Sequence, residues 1–195
     1  MKTLKDKVDR LSDKIRTSGK TAEEWFTIFT PDYLMDADHW WEAFAVCEYA
    51  IDTHADKKHI GDFFGLIFSS YDTNVETALD ADEYEYWWDK IMNLCDRVAE
   101  FDGVGWAEKA AHLVKARYGK KDESFMFSYY EKGAEMGHPI SEATIPFWLY
   151  TGIYCEQNKE EAEKRFAALS TSEARLWGKL NRSYIKDMEG DAQGA

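Results

Sequence analysis

The sequence predicts an all-α protein: an array of antiparallel helix pairs forming a short, irregular α-solenoid, with one extra helix at the N-terminus. Three observations carry this. Apolar residues recur at the three-and-four spacing of a helix face, strand-type alternation is nearly absent, and helix-start signatures punctuate the chain. A chain of 195 residues with 45% hydrophobic and 15% aromatic content can bury a core, and only three prolines interrupt it.

The first element, "MKTLKDKVDRLSDKIR", sets Leu4, Val8, Leu11 and Ile15 on one face between lysines and aspartates. A helix near 2–18 follows, and residues 1–20 read as an amphipathic cap on the open end of the array. The alternative use of that face is to pair two subunits, but it spans too few heptads to insist on a coiled coil. The segment lacks the apolar core of a secretion signal, and no apolar run is long enough to cross a bilayer, so a cytosolic location is expected.

The remaining helices are placed by their caps and stripes near 21–29, 34–52, 57–71, 81–100, 105–118, 123–136, 140–154, 159–169 and 172–188. Thr21 with Glu24, Asp80 with Glu83, Asn158 with Glu161 and Ser170 with Glu173 have capping-box spacing, and Thr30-Pro31 is a cap followed by proline at the first helical position. The clearest stripe is Tyr84, Trp87, Trp88, Ile91, Leu94, Cys95 and Val98; a second is Ile60, Phe63, Phe64, Ile67, Phe68 and Tyr71; a third is Trp106, Ala110, Leu113, Val114 and Tyr118. Gly119 and Gly137 suit the left-handed residue that ends a helix. Residues 21–190 read as one repeat domain and 191–195 as a disordered tail, with fraying expected across "MEGDAQGA".

A bulky pair followed by an acid recurs as Trp40-Trp41-Glu42, Trp87-Trp88-Asp89 and Tyr129-Tyr130-Glu131, with Arg165-Phe166 as a degenerate fourth copy. The spacings of 47, 42 and 36 residues match one helical hairpin per unit. In "FSYYEKGAEMGHP" the small residues Gly133 and Ala134 let two helix axes approach, Gly137 ends the first helix, and Pro139 opens the second.

These residues resemble the Sel-one-like repeats, relatives of the tetratricopeptide repeat, whose first helices read roughly "KAxxWYxKAAExGH". "SYYEKGAEMGHP" (128–139) and "EEAEKRFAAL" (160–169), with Ala162 and Phe166 in place, carry the likeness over about 127–170, and Ala37 keeps the spacing before Trp40-Trp41. The second helix, "ISEATIPFWLYTGIYC", departs from the family pattern. Phe147 and Trp148 stand near an expected small residue, only Gly152 echoes the family's loop, and Pro146 is expected to kink or shorten the helix. The resemblance implies a non-enzymatic binding scaffold without cofactor. Among the uses of bacterial members, a cytosolic immunity or antitoxin-like protein that neutralises a delivered toxin fits best; a signalling or host-interaction adaptor is the alternative.

A net charge of −13 repels nucleic-acid phosphates and anionic lipid, and attracts a basic toxin or effector domain. The acids beside the ring pairs, Glu42, Asp82, Glu85 and Asp89, should point away from the core and are the candidate partner-binding residues. Two acid and histidine clusters carry metal-ligating residue types. Asp52, His54, Asp56, His59 and Asp62 lack the H-E-x-x-H arrangement and read as a solvated turn; as a metal site they would support a small helical enzyme. Asp32, Asp36, Asp38, His39 and Glu42 read as an acid-rich helix start. His112 and His138 have no nucleophile nearby in sequence, and the apparent glycine-rich loop "DGVGWAEKAA" has no preceding strand. Tryptophans 87, 88, 106 and 177 are expected in the core. Cys47, Cys95 and Cys155 are expected as free, buried thiols.

Overall fold

The computed structural model describes residues 3–29, 40–55, 57, 60–61, 64–65, 81–116 and 119–193. Among these residues the regular structure is helical throughout: α1 (Leu4–Thr17), α2 (Ala22–Ile28), α3 (Trp40–Asp52), α4 (Ala81–Ala99), α5 (Gly103–Lys115), α6 (Met126–Glu135), α7 (Pro139–Thr151), α8 (Lys159–Ala167) and α9 (Ser172–Gln193). Contacts divide the chain into two compact units, Met1–Gly105 and Trp106–Ala195, whereas the sequence reading draws one domain over 21–190.

The first unit is assembled on α3. Thr3 and Asp6 form a reciprocal capping box at the start of α1, a signal the sequence reading passed over because the acid is Asp and not Glu. Val8 and Ile15 of α1 are buried, Leu4 and Leu11 pack beside them, and this face lies against α3. Thr21 and Glu24 form the expected capping box of α2, which buries Ala22, Trp25 and Phe26 and also packs on α3. Tyr49 of α3 donates its phenol hydrogen to the Lys20 carbonyl at 2.8 Å, pinning the turn between α1 and α2.

Every residue of the expected α4 stripe is buried: Tyr84, Trp87, Trp88, Ile91, Leu94, Cys95 and Val98. Trp87 meets the Phe44 ring of α3 edge-on, with centroids 5.6 Å apart at 89°. At the far end of α4 the chain turns directly into α5. A Cβ on Gly105 would strike the backbone nitrogen of Ala99 and lie 2.7 Å from the Cys95 carbonyl oxygen, so only glycine allows this approach. Ile60 and Phe64 of the second stripe are buried; its other members, Thr30-Pro31 and Asp80 lie outside the described residues.

In the second unit α6, α8 and α9 all pack on α7. The α6–α7 turn answers the glycine pattern. Gly137 takes φ +83°, its N–H donates to the Ala134 carbonyl, and the His138 N–H reaches the Gly133 carbonyl, a doubly bonded left-handed helix end. Gly133 is buried. His138 then caps α7, its Nδ1 accepting from the Ser141 N–H at 3.4 Å, with Pro139 at the first helical position.

Buried residues Ser141, Ala143, Ile145, Pro146, Trp148 and Leu149 run along α7 on more than one side, as befits a helix with neighbours around it. The expectation that Pro146 shortens its helix is corrected: α7 continues five residues past it and ends at Gly152, φ +80°. A proline removes one backbone donor and disturbs the preceding turn. There Asn181 of α9 donates its amide to the Ala143 carbonyl at 2.8 Å, supplying a hydrogen bond from outside the helix.

Two further expectations change. Thr171, not Ser170, caps α9, accepting from the Ala174 N–H, because the Ser170 hydroxyl is held by the Glu142 carboxylate of α7 at 2.7 Å. Trp177 is 38% exposed and not in the core, where Ala174, Gly178 and Ile185 occupy the inner side of α9. The helix also runs through Gln193, across most of the segment expected to fray.

Replacing Trp87 with alanine is expected to cost about 3–5 kcal/mol in urea unfolding, the range for emptying a buried aromatic site, whereas Trp177→Ala should stay within about 1 kcal/mol.

Candidate partner-binding site

The inward stripe of α4 dictates its outward one. On a helix whose buried side runs through Trp87, Ile91, Leu94 and Val98, positions 82, 85, 89, 93, 96 and 100 fall on the opposite side. All six are exposed, and five carry carboxylates: Asp82, Glu85, Asp89 and Asp96 on the helix and Glu100 just past its end, with Asn93 between. The row is about 27 Å long at 1.5 Å per residue. Asp82 and Glu83 also complement the positive end of the helix dipole.

The cations of α4 are turned aside. Lys90 lies 3.6 Å from Glu48 of α3, and Arg97 lies 2.6 Å from Asp52. Both bases of this helix thus have acids of the adjoining helix beside them. Of the four residues singled out from sequence, Asp82, Glu85 and Asp89 share this row; Glu42 sits on α3, half-buried, with Oε2 out of solvent. Asp96 and Glu100 adjoin no ring pair, so that pattern does not mark them. Continuing the helical period from Asp89 would have found them.

Asp52 has a different place. One carboxylate oxygen accepts from Arg16 of α1 at 2.7 Å and the other from Arg97 of α4 at 2.6 Å, so three helix ends are tied at one group. A half-open cavity of about 570 Å³ adjoins it, lined by Asp52, His54, Lys57, Arg97, Glu100 and Phe101 among others. His54 is exposed in the turn with φ +55°, and Asp56, His59 and Asp62 lie outside the described residues. So do Asp32, Asp36, Asp38 and His39 of the other acid and histidine cluster. Among the described residues no group of three or more His, Cys, Asp or Glu is placed to hold a metal ion.

The ring pairs are brought into separate packing environments. Trp87 and Trp88 are buried, Trp41 is half-buried against the first core, and Trp40 is the first residue of α3. Tyr129 and Tyr130 are half-buried on α6: Tyr129 stacks on Phe125 and meets Trp106, while Tyr130 meets Trp148 of α7 at 4.6 Å. Phe166, of the fourth copy, is buried on α8 beneath the Arg182 guanidinium. Cys47 and Cys95 are buried and free; Cys155 is half-buried. Burial pushes the Cys47 thiol well above its ordinary range, which makes it a poor nucleophile.

No family model, no curated protein and no solved structure matches this chain.

Burial, helped by the negative charge of Glu108 and then by Tyr154, pushes the Tyr130 phenol up to about 12. A raised folded value means that the neutral phenol is favoured in the folded chain. Its contribution is complete below about pH 10, the unfolded value, and is lost as pH rises through about 12. Urea unfolding between about pH 9 and pH 12 should therefore show stability falling with pH, with a shallower fall in Tyr130→Phe.

Proposed function

We propose that this chain is a non-enzymatic protein-binding module whose α4 carboxylate row docks a basic protein domain. The finer form of the proposal is an immunity or antitoxin-like protein of the cytosol that neutralises a cognate basic toxin. Its scaffold would be the short, irregular α-solenoid of antiparallel helix pairs that the Sel-one-like resemblance implies.

One observation carries the reading. Five exposed carboxylates lie along one side of α4, the last just past its end, while the two cations of that helix lie beside acids of α3. Such a row concentrates negative potential, speeds encounter with a cationic surface and disfavours phosphate-bearing partners. The rival reading, a small metal-dependent enzyme using the Asp52–Asp62 cluster, is weakened at its first member: both oxygens of the Asp52 carboxylate already accept charged hydrogen bonds from guanidinium groups.

The test is affinity capture from the native cell with wild type and with Asp82→Lys/Glu85→Lys/Asp89→Lys. Wild type should retain a basic protein that elutes with salt, and the triple variant should retain roughly tenfold less. Equal recovery by both chains, or no protein retained by wild type, would contradict the proposal.

A further inference from the structure

The cavity beside Asp52 lies wholly within the first unit, and its volume of about 570 Å³ is that of a small-molecule site. Its walls are apolar. Ile60 is buried, Ile51 and Ala55 are half-buried, and Phe101 contributes a flat ring. The polar side chains that line it are Asp52, His54, Lys57, Arg97 and Glu100.

Charge decides what such a cavity can hold. Asp52 lines it but is no longer an open acid, because Arg16 and Arg97 each donate to one of its oxygens, at 2.7 and 2.6 Å. Lys57 has a ring beside it: its ammonium lies 5.5 Å from the Phe101 centroid. With His54 counted neutral, Arg16, Arg97 and Lys57 supply three positive charges and Asp52 and Glu100 two negative ones. One positive charge is left over at this place, in a chain of net −13. The surface at large repels an anion, whereas the local balance here attracts one. Arg97 uses one arm on Asp52, and its planar fork carries further N–H groups that suit a second carboxylate.

We propose that this cavity binds a small organic monoanion, a single carboxylate carried on a planar apolar body. The carboxylate meets Lys57 and Arg97, and the body lies against Phe101, Ile51 and Ile60. One negative charge matches the surplus of the site. A multiply charged phosphate ester exceeds that surplus and is opposed by Glu100. A bare inorganic anion leaves the apolar walls wet, and an organic cation meets Lys57 and Arg97 as like charges. The site shares only Glu100 with the outer acids of α4, so it stands whether or not that row docks a protein.

Phenylacetate, a ring bearing one carboxylate, is the probe. In 1H–15N correlation spectra of the full chain it should shift the amides of Ile51, Ala55, Ile60 and Phe101, with half-saturation at about 1 mM for a ligand of about ten heavy atoms. Phenethylamine and inorganic phosphate at the same concentrations should leave those amides in place. Lys57 is exposed, so Lys57→Glu should keep the circular dichroism of wild type and weaken phenylacetate binding roughly tenfold or more. Lys57→Arg, which keeps the charge, should bind within about twofold of wild type. No saturable shift up to about 20 mM phenylacetate, equal shifts from phenethylamine or phosphate, or undiminished binding by Lys57→Glu would overturn the proposal.

Discussion

The burial of the α4 stripe, with Trp87 set edge-on against Phe44, is the constraint on which the first unit depends. A helix has one azimuth. Once seven large side chains are removed from water on one side, the residues half a turn away have no choice but to face solvent. Each buried aromatic or aliphatic side chain contributes about 1.5–3 kcal/mol, far more than any surface charge could recover by turning the helix. The outer carboxylate row is thus held by the core behind it. Lys90 and Arg97, at the edge of that core, can reach acids on α3 and do so.

The second unit is governed by α7, which α6, α8 and α9 all contact. Side chains from outside the helix bond to it at several points. Asn181 on α9 supplies a donor in the turn that Pro146 disturbs, and Ser170 leaves its expected capping place to bind Glu142. The consequence for α9 is geometric. Small residues at the contact let it approach α7 closely, and large apolar residues are left on its outer side.

Much of the helical plan was legible because burial and periodicity agree: the α4 stripe, the Thr21 capping box and the Gly137 helix end all follow from local chemistry. Failures came where distant residues compete. Ser170 and Thr171 are equivalent as caps, and a carboxylate on another helix decides between them. Pro146 should break a helix by local rules, but α7 runs through it to Thr151. Trp177 is expected in the core because large rings usually go inside, whereas α9 buries Ala174 and Gly178 and leaves the ring half out. The outer row was partly legible: three of its acids were found beside ring pairs, and Asp96 and Glu100 needed only the same period carried further. Glu42 follows that pattern in sequence but lies half-buried on α3, because a ring pair's neighbour faces solvent only when the helix is flanked on one side.

The central functional claim is electrostatic docking through the α4 row, and association kinetics with the captured partner test it most directly. Stopped-flow mixing across a range of ionic strength should show an association rate that falls by about tenfold or more from low to high salt, with dissociation changing much less. An association rate indifferent to salt would contradict the account, because a partner that does not sense the carboxylates on approach is not recognised by them.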